Sequence, residues 1–213
     1  MHIFYLHGFA SSAQSTKASY FAGKLAARGV VLRCPDFNEP SFATLTLSRM
    51  IEQLEAEVAA LDAQPVALIG SSLGGVVALH MAARHPDRIE RLVLMAPAVL
   101  FGKDEHPFLQ PERVAAWRET GTLDVFHYAY GETRPLNYLF YEDSQRYDAR
   151  TADVRQPTLI FQGLRDTSVP YRVVEQYAAT RGNVTLRLLD DDHQLIASLP
   201  AMWTEMQAFL SLT

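Results

Sequence analysis

Three side chains with acid–base and nucleophilic chemistry lie far apart along the chain: Ser72, Asp166 and His193. A serine hydroxyl is a weak nucleophile at neutral pH, so it needs a neighbouring base to accept its proton during attack. A histidine can be that base, and a carboxylate can fix the imidazole tautomer and stabilise the imidazolium that forms. These residue types predict nucleophilic catalysis in which Ser72 attacks, His193 carries the proton and Asp166 orients His193.

The predicted nucleophile stands at the centre of the sequence G-S-S-L-G over residues 70–74. An apolar strand pattern over 65–69 precedes it, and a helical pattern follows it directly. A strand that turns into a helix with small residues around a serine is typical of a nucleophile elbow, where strained backbone projects the hydroxyl into a cleft. Ser71 is the alternative nucleophile, but the position midway between the two glycines favours Ser72.

The predicted acid and base each follow a strand. Asp166 comes four residues beyond an apolar strand that ends at Gln162, and His193 comes just past the last predicted strand. Asp191 and Asp192 lie closer to His193 in sequence. Residues so near in sequence do not readily fold back to orient an imidazole, so we expect Asp166 to be the acid.

Strand and helix patterns alternate through most of the chain. Apolar strands are predicted over 3–6, 30–33, 65–69, 91–95, 157–162 and 184–189, and helices over 16–28, 44–61, 73–84 and 195–210. This alternation predicts an α/β fold with a mostly parallel, doubly wound sheet and helices on both faces. Ligands bind beyond the carboxyl ends of such strands, so we expect the three candidate loops at one edge.

The alternation stops between about residues 100 and 151. This stretch contains close to half of the chain's aromatic residues. Its length and position predict an inserted cap of short helices and loops over the cleft, the alternative being helices that only complete the core. An aromatic roof would hold an apolar acyl group and exclude water, and the candidate pocket residues are Trp117, Phe126, Tyr130 and Phe140.

Composition sets limits on the class of protein. The 213 residues are 48% hydrophobic and 20% charged, as expected for one globular domain over 1–213, and the formal net charge is −5. Without a basic cluster, neither nucleic-acid binding nor binding to an anionic membrane is expected. Cys34 is the only cysteine, which excludes an internal disulfide and a zinc site with several thiolates.

The beginning of the sequence lacks the features of a secretion signal. Its apolar run over 3–6 has no basic leader and is far too short to span a bilayer. We therefore expect a cytoplasmic protein without stable membrane insertion. The oligomeric state is left open.

Several motifs together resemble the α/β-hydrolase superfamily. These are the first strand with H-G-F over 7–9, the G-S-S-L-G-G sequence over 70–75, and the loops of Asp166 and His193. More narrowly, H-G-F-A-S-S-A-Q-S-T-K-A over 7–18 is similar to the small bacterial YqiA-like esterases. The resemblance implies the α/β-hydrolase fold and hydrolysis of carboxylic esters or thioesters without a cofactor.

The resemblance also implies an oxyanion hole. In serine hydrolases of this type, the residue after the His-Gly pair donates its backbone N–H, which makes Phe9 one candidate donor and Leu73 the other. The alternative for the His-Gly pair is a simple turn at the end of a strand. Two departures from the pattern bear on the substrate: the stretch over 100–151 is longer, and Asp192 replaces a glycine before the histidine.

The sequence thus predicts a serine esterase for small ester substrates with short to medium acyl chains, thioesters included, that acts through an acyl-enzyme. Two alternatives remain open: acyl transfer to a nucleophile other than water, and a ligand-binding or sensor module with negligible turnover. A metallohydrolase that uses His7 and His193 is disfavoured because no spaced set of ligands accompanies them.

Overall fold

A six-stranded sheet forms the centre of the computed structural model, which describes residues 1–101 and 110–212, and every neighbouring pair of strands in it is parallel. The strands of this sheet, in chain order, are β1 (His2–Leu6), β2 (Leu32–Arg33), β3 (Val66–Ser71), β4 (Ile89–Met95), β7 (Thr158–Gly163) and β8 (Val184–Leu189). Their order across the sheet is β2-β1-β3-β4-β7-β8.

The helices around the sheet are α1 (Thr16–Ala26), α2 (Leu47–Ala59), α3 (Leu73–Arg84), α6 (Tyr171–Ala179) and α7 (Leu199–Phe209), with a short 3₁₀ helix at Phe42–Thr44. Strands β3 and β7 are buried along their whole length, because helices cover both faces of the sheet. Successive side chains of β3 enter opposite cores, with Leu68 in one apolar cluster and Ile69 in the other. The predicted parallel α/β architecture is confirmed.

Several element ends differ from the sequence prediction by one to four residues, and two differences bear on the positions of the loops. The second strand contains two residues instead of the predicted four over 30–33. The last helix begins at Leu199 instead of residue 195, because the Ser198 N–H donates to Asp191 Oδ2 at 2.9 Å and ties the intervening residues to the end of β8.

The stretch predicted as a cap contains a β-hairpin as well as helices. Its described elements are α4 (Pro111–Thr120), β5 (Thr122–His127), β6 (Glu132–Asn137) and α5 (Leu139–Ser144). Strands β5 and β6 pair in antiparallel orientation. Residues 102–109 of this stretch lie outside the described part. The prediction of helices and loops alone was therefore wrong. The hairpin packs against the loop after β1, since the Tyr128 N–H donates to Ala10 O at 3.1 Å.

Gly163, the last residue of β7, allows the loop after β8 to pass over the sheet edge. A Cβ there would lie 2.5 Å from the carbonyl oxygen of Asp192.

We expect Gly163→Ala to lower the free energy of unfolding by about 1–3 kcal/mol, because backbone must move to admit the methyl group. Gly23→Ala in α1, where no atom lies within 4 Å, is the matched control and should stabilise by about 0.5–1 kcal/mol. Urea denaturation measures both, and equal effects would contradict the close approach.

Candidate active site

Ser72 occupies a strained turn between β3 and α3. Its backbone has φ 51° and ψ −113°, a region that residues other than glycine rarely adopt. Three hydrogen bonds hold it there: the Ser72 N–H donates to Met95 O at 2.9 Å, and Ser72 O accepts from the N–H groups of Gly75 at 2.9 Å and Ala98 at 3.2 Å. Ser72 is half-buried, whereas Ser71 is buried as the last residue of β3.

The loop after β1 lies directly against this turn. A Cβ on Gly74 would lie 2.1 Å from Leu6 O, so only glycine lets the start of α3 approach the end of β1 this closely. A Cβ on Gly8 would lie 3.2 Å from the Ser72 Cβ. The two predicted oxyanion donors, the N–H groups of Phe9 and Leu73, therefore belong to backbone segments that flank the serine.

His7 determines the direction of one of these donors. Its Nε2 accepts from the Phe37 N–H at 3.0 Å, which leaves Nδ1 to donate to Gly8 O at 2.9 Å. The Gly8 carbonyl and the Phe9 N–H belong to one planar trans peptide and point in opposite directions. The buried imidazole of His7 thus fixes where the Phe9 N–H points. The Leu73 N–H is in the first turn of α3, where no intrahelical acceptor exists.

The loops after β7 and β8 bring Asp166 and His193 together. His193 Nδ1 lies 2.8 Å from Asp166 Oδ2, and the aspartate side chain is fully buried. Gln162 Nε2 also donates to Oδ2, at 2.9 Å, while Oδ1 accepts from the N–H groups of Ser168 and Val169, both at 2.8 Å. Four donors therefore hold the carboxylate in one orientation.

These contacts also keep the carboxylate ionised. Burial alone would raise the pKa of Asp166, but the hydrogen bond and charge of His193, the Val169 N–H and the Gln162 amide outweigh it and lower the pKa below its usual value. An ionised Asp166 can only accept, so Nδ1 of His193 is the donor. The other ring nitrogen, Nε2, is then the one free to act as a base.

The two aspartates before His193 bond to their own loop instead. Asp191 accepts from the N–H groups of Asp192 and Ser198, and Asp192 Oδ1 accepts from the Gln194 N–H. Neither carboxylate has a hydrogen bond with the imidazole among the described residues.

The loop that contains His193 runs from β8 back across the sheet edge. Its Asp192 carbonyl passes over the end of β7, and its Gln194 carbonyl is reached by Lys17 at the start of α1, which follows β1. His193 lies between these two contacts along the loop. Within the described residues no hydrogen bond joins the Ser72 hydroxyl to the imidazole. Such bonds are often long in sites without substrate and tighten when substrate binds.

Gln162 is a site residue that the sequence prediction missed. It is fully buried in β7, and its amide donates to Asp166 and to Val169 O at 3.0 Å. Its Oε1 has no partner among the described residues. The sequence signal that could have found it is a single amide side chain in a mostly apolar strand that leads into the loop of Asp166.

Two of the four predicted pocket residues lie near Phe9 in the loop after β1. Phe140 stacks on Phe9 with ring centroids 5.3 Å apart, and Trp117 lies 6.5 Å behind Phe140. Both Phe140 and Trp117 are buried. The Trp117 indole donates to Leu136 O at 3.0 Å and so joins α4 to the hairpin.

The other two lie on the exposed side of the hairpin. Phe126 is 51% exposed and Tyr130 is 44% exposed. Tyr130 stacks at 4.0 Å on the buried His127, whose Nε2 lies 3.1 Å from Asn38 Oδ1. Burial lowers the pKa of His127, so this ring is neutral at neutral pH. The hairpin tip therefore packs through this histidine against the residues that follow β2.

The described residues contain no cluster of three or more histidine, cysteine or acidic side chains that could hold a metal ion. Over the same part of the chain, no helix combines the length and apolar character needed to cross a bilayer.

Comparison with solved structures assigns the fold. Alpha/beta hydrolase domain-containing protein 10 from mouse superposes with a TM-score of 0.83 at 20% identity, over 99% of this chain and 89% of that chain. Est1E from Butyrivibrio proteoclasticus, solved with ferulic acid bound, gives 0.83 at 20% identity, over 98% of this chain and 87% of that chain. The protein has the α/β-hydrolase fold, as the resemblance implied.

Among curated proteins, a pimeloyl-[acyl-carrier protein] methyl ester esterase from Aeromonas hydrophila is 34% identical over 85 residues. The match covers 38% of this chain and 34% of the relative's length. One family model covers nearly the whole sequence, since it matches residues 2–210. The chain therefore belongs to the uncharacterised protein family UPF0227.

Proposed function

We propose that this protein is a serine esterase that cleaves carboxylic esters through Ser72, His193 and Asp166. The observation that carries the proposal is the 2.8 Å hydrogen bond between His193 Nδ1 and the buried Asp166 carboxylate. The strained backbone of Ser72 at the end of a neighbouring strand supports the same assignment. Esterase relatives and the α/β-hydrolase fold support the same chemistry.

Acylation begins with attack of Ser72 Oγ on the ester carbonyl while His193 Nε2 accepts the hydroxyl proton. Asp166 stabilises the imidazolium that results. The N–H groups of Phe9 and Leu73 bind the oxyanion of the tetrahedral intermediate, where one such donor is typically worth about 10²–10³ in rate. The carbon–oxygen bond to the leaving group then breaks, and His193 gives its proton to the departing alcohol.

Deacylation repeats these steps with water as the nucleophile. His193 takes a proton from water, which attacks the acyl-enzyme, and the carboxylic acid leaves as Ser72 regains its proton. We place the acyl group beside Phe140, which stacks on Phe9, and the buried Trp117 packs against Phe140. Phe126 and Tyr130 are exposed on the hairpin and are not assigned to the acyl group. Short to medium acyl chains, thioesters included, are the proposed substrates.

Replacement of the nucleophile gives the most direct test. We expect Ser72→Ala to lower kcat by about 10⁶-fold on p-nitrophenyl esters of increasing chain length, because no other hydroxyl occupies the strained turn. Ser71→Ala is the matched control, since this neighbour is buried and should retain kcat within about tenfold. Equal rates for wild type and Ser72→Ala would show that the reactive group lies elsewhere.

Two added measurements separate the alternative functions. A fluorophosphonate probe that labels Ser72 in the folded protein, without cleavage of any ester in the panel, would indicate acyl transfer or a substrate outside the panel. Product analysis with added alcohol distinguishes acyl transfer from hydrolysis. Absence of both labelling and cleavage would favour a ligand-binding module.

Replacement of the acid tests the hydrogen bond that carries the proposal. We expect Asp166→Asn to lower kcat by about 10⁴-fold, because an amide at this position no longer holds the tautomer in which Nε2 is the base. Asp192→Asn is the control, since its amide oxygen can still accept from the Gln194 N–H and kcat should stay within about tenfold. A larger loss in Asp192→Asn than in Asp166→Asn, with both proteins folded, would assign the acid to the loop of His193 itself.

A further inference from the structure

Lys17 is a buried lysine at the edge of the candidate site that the chemistry above does not use. It is 7% exposed and lies in the first turn of α1. Its Nζ donates to the carbonyl oxygen of Gln194 at 2.9 Å, across 177 positions of sequence. Gln194 directly follows His193, so this bond holds the loop of the proposed base.

The location is unfavourable for a positive charge. Burial of an ammonium group is unfavourable unless the group is well paired, and the positive end of a helix dipole disfavours a cation in the first turn. Burial lowers the pKa of Lys17 from its ordinary 10.5 to about 8, although the charges of Asp192, Asp166 and Asp191 act to raise it. An apolar residue would pack there without this cost, so folding alone does not explain the lysine.

Other hydrogen bonds restrain the loop of His193 on the side of Asp166. The Arg165 N–H donates to Asp191 O at 3.0 Å, which joins the loop to the neighbouring loop of Asp166. The hydrogen bonds of the Asp191 and Asp192 carboxylates stay within the loop and its continuation into α7. Lys17 instead joins it to α1, and only seven residues separate Lys17 from the proposed oxyanion donor Phe9.

We infer that Lys17 is a positioning residue that sets His193 relative to Ser72 and Phe9, by anchoring the Gln194 carbonyl to α1 through a charged hydrogen bond. The inference rests on the proposed function. A misplacement of a reacting group by about 1 Å can cost about 10²-fold in rate, so loss of the anchor should appear mainly in kcat.

Kinetics of Lys17→Met test this role, because methionine keeps the length of the side chain and removes its charge and donor. We expect kcat on a p-nitrophenyl ester to fall about 10- to 100-fold while KM changes less than about threefold. The fluorophosphonate labelling rate of Ser72 should fall by a similar factor. Lys24→Met, which removes an exposed lysine of the same helix, is the matched control and should match wild type.

The pH profile gives a readout that a purely structural role would not move. As pH rises through about 8, Lys17 loses its proton and the charged hydrogen bond weakens, so kcat of wild type and Lys24→Met should decline. Lys17→Arg keeps its charge across this range and should hold its kcat to about pH 10. If circular dichroism shows that Lys17→Met does not fold, the pH profiles of Lys17→Arg and wild type test the inference without it.

Each outcome decides the inference. A folded Lys17→Met with kcat within twofold of Lys24→Met overturns it, and so does an unchanged alkaline decline in Lys17→Arg. If wild-type protein cleaves esters but both results contradict the role of Lys17, only this inference fails. The proposed function is then unaffected. Wild-type protein that neither cleaves esters nor is labelled at Ser72 removes the proposed function and this inference together.

Discussion

The candidate site depends on the close approach of backbone segments at the carboxyl edge of a parallel sheet. Ser72 adopts its left-handed conformation because its N–H is bound by Met95 O of β4 and its carbonyl accepts from the turn beyond β4. Gly74 lets the start of α3 touch the end of β1. The strain of one residue is thus maintained by contacts with two neighbouring strands, which are buried and cannot relax independently.

The proposed acid and the proposed base differ in burial at this edge. The Asp166 carboxylate is fully buried and has four donors, so both its orientation and its negative charge are fixed. The His193 side chain remains 20% exposed and uses only Nδ1 for the aspartate. A buried carboxylate and a more accessible imidazole are what proton transfer to and from a substrate requires, because only the imidazole must reach the reacting atoms.

Local sequence patterns predicted the sheet, because parallel strands buried on both faces have continuous apolar sequences. They also predicted that Ser72, Asp166 and His193 each follow the carboxyl end of a strand. Parallel strands place these ends at one edge of the sheet. The hairpin was missed because its strands are largely exposed and β6 contains Pro135, which removes a backbone donor and is tolerated only in edge strands.

Contacts between residues distant in sequence were not predictable in this way. Nothing in the local pattern around Lys17 shows that its ammonium reaches Gln194, 177 positions away. Gln162 is only four residues from Asp166, but the strand pattern alone does not indicate that its amide bonds to that carboxylate. Yet a buried carboxylate on one side and a buried ammonium on the other bracket the loop of His193. Apolar packing restricts the volume that a loop can fill. A charged hydrogen bond also restricts the direction and the distance between the two bonded groups. Under the role inferred for Lys17, the position of the proposed base is set by groups whose ionisation, and not only whose shape, has to be maintained.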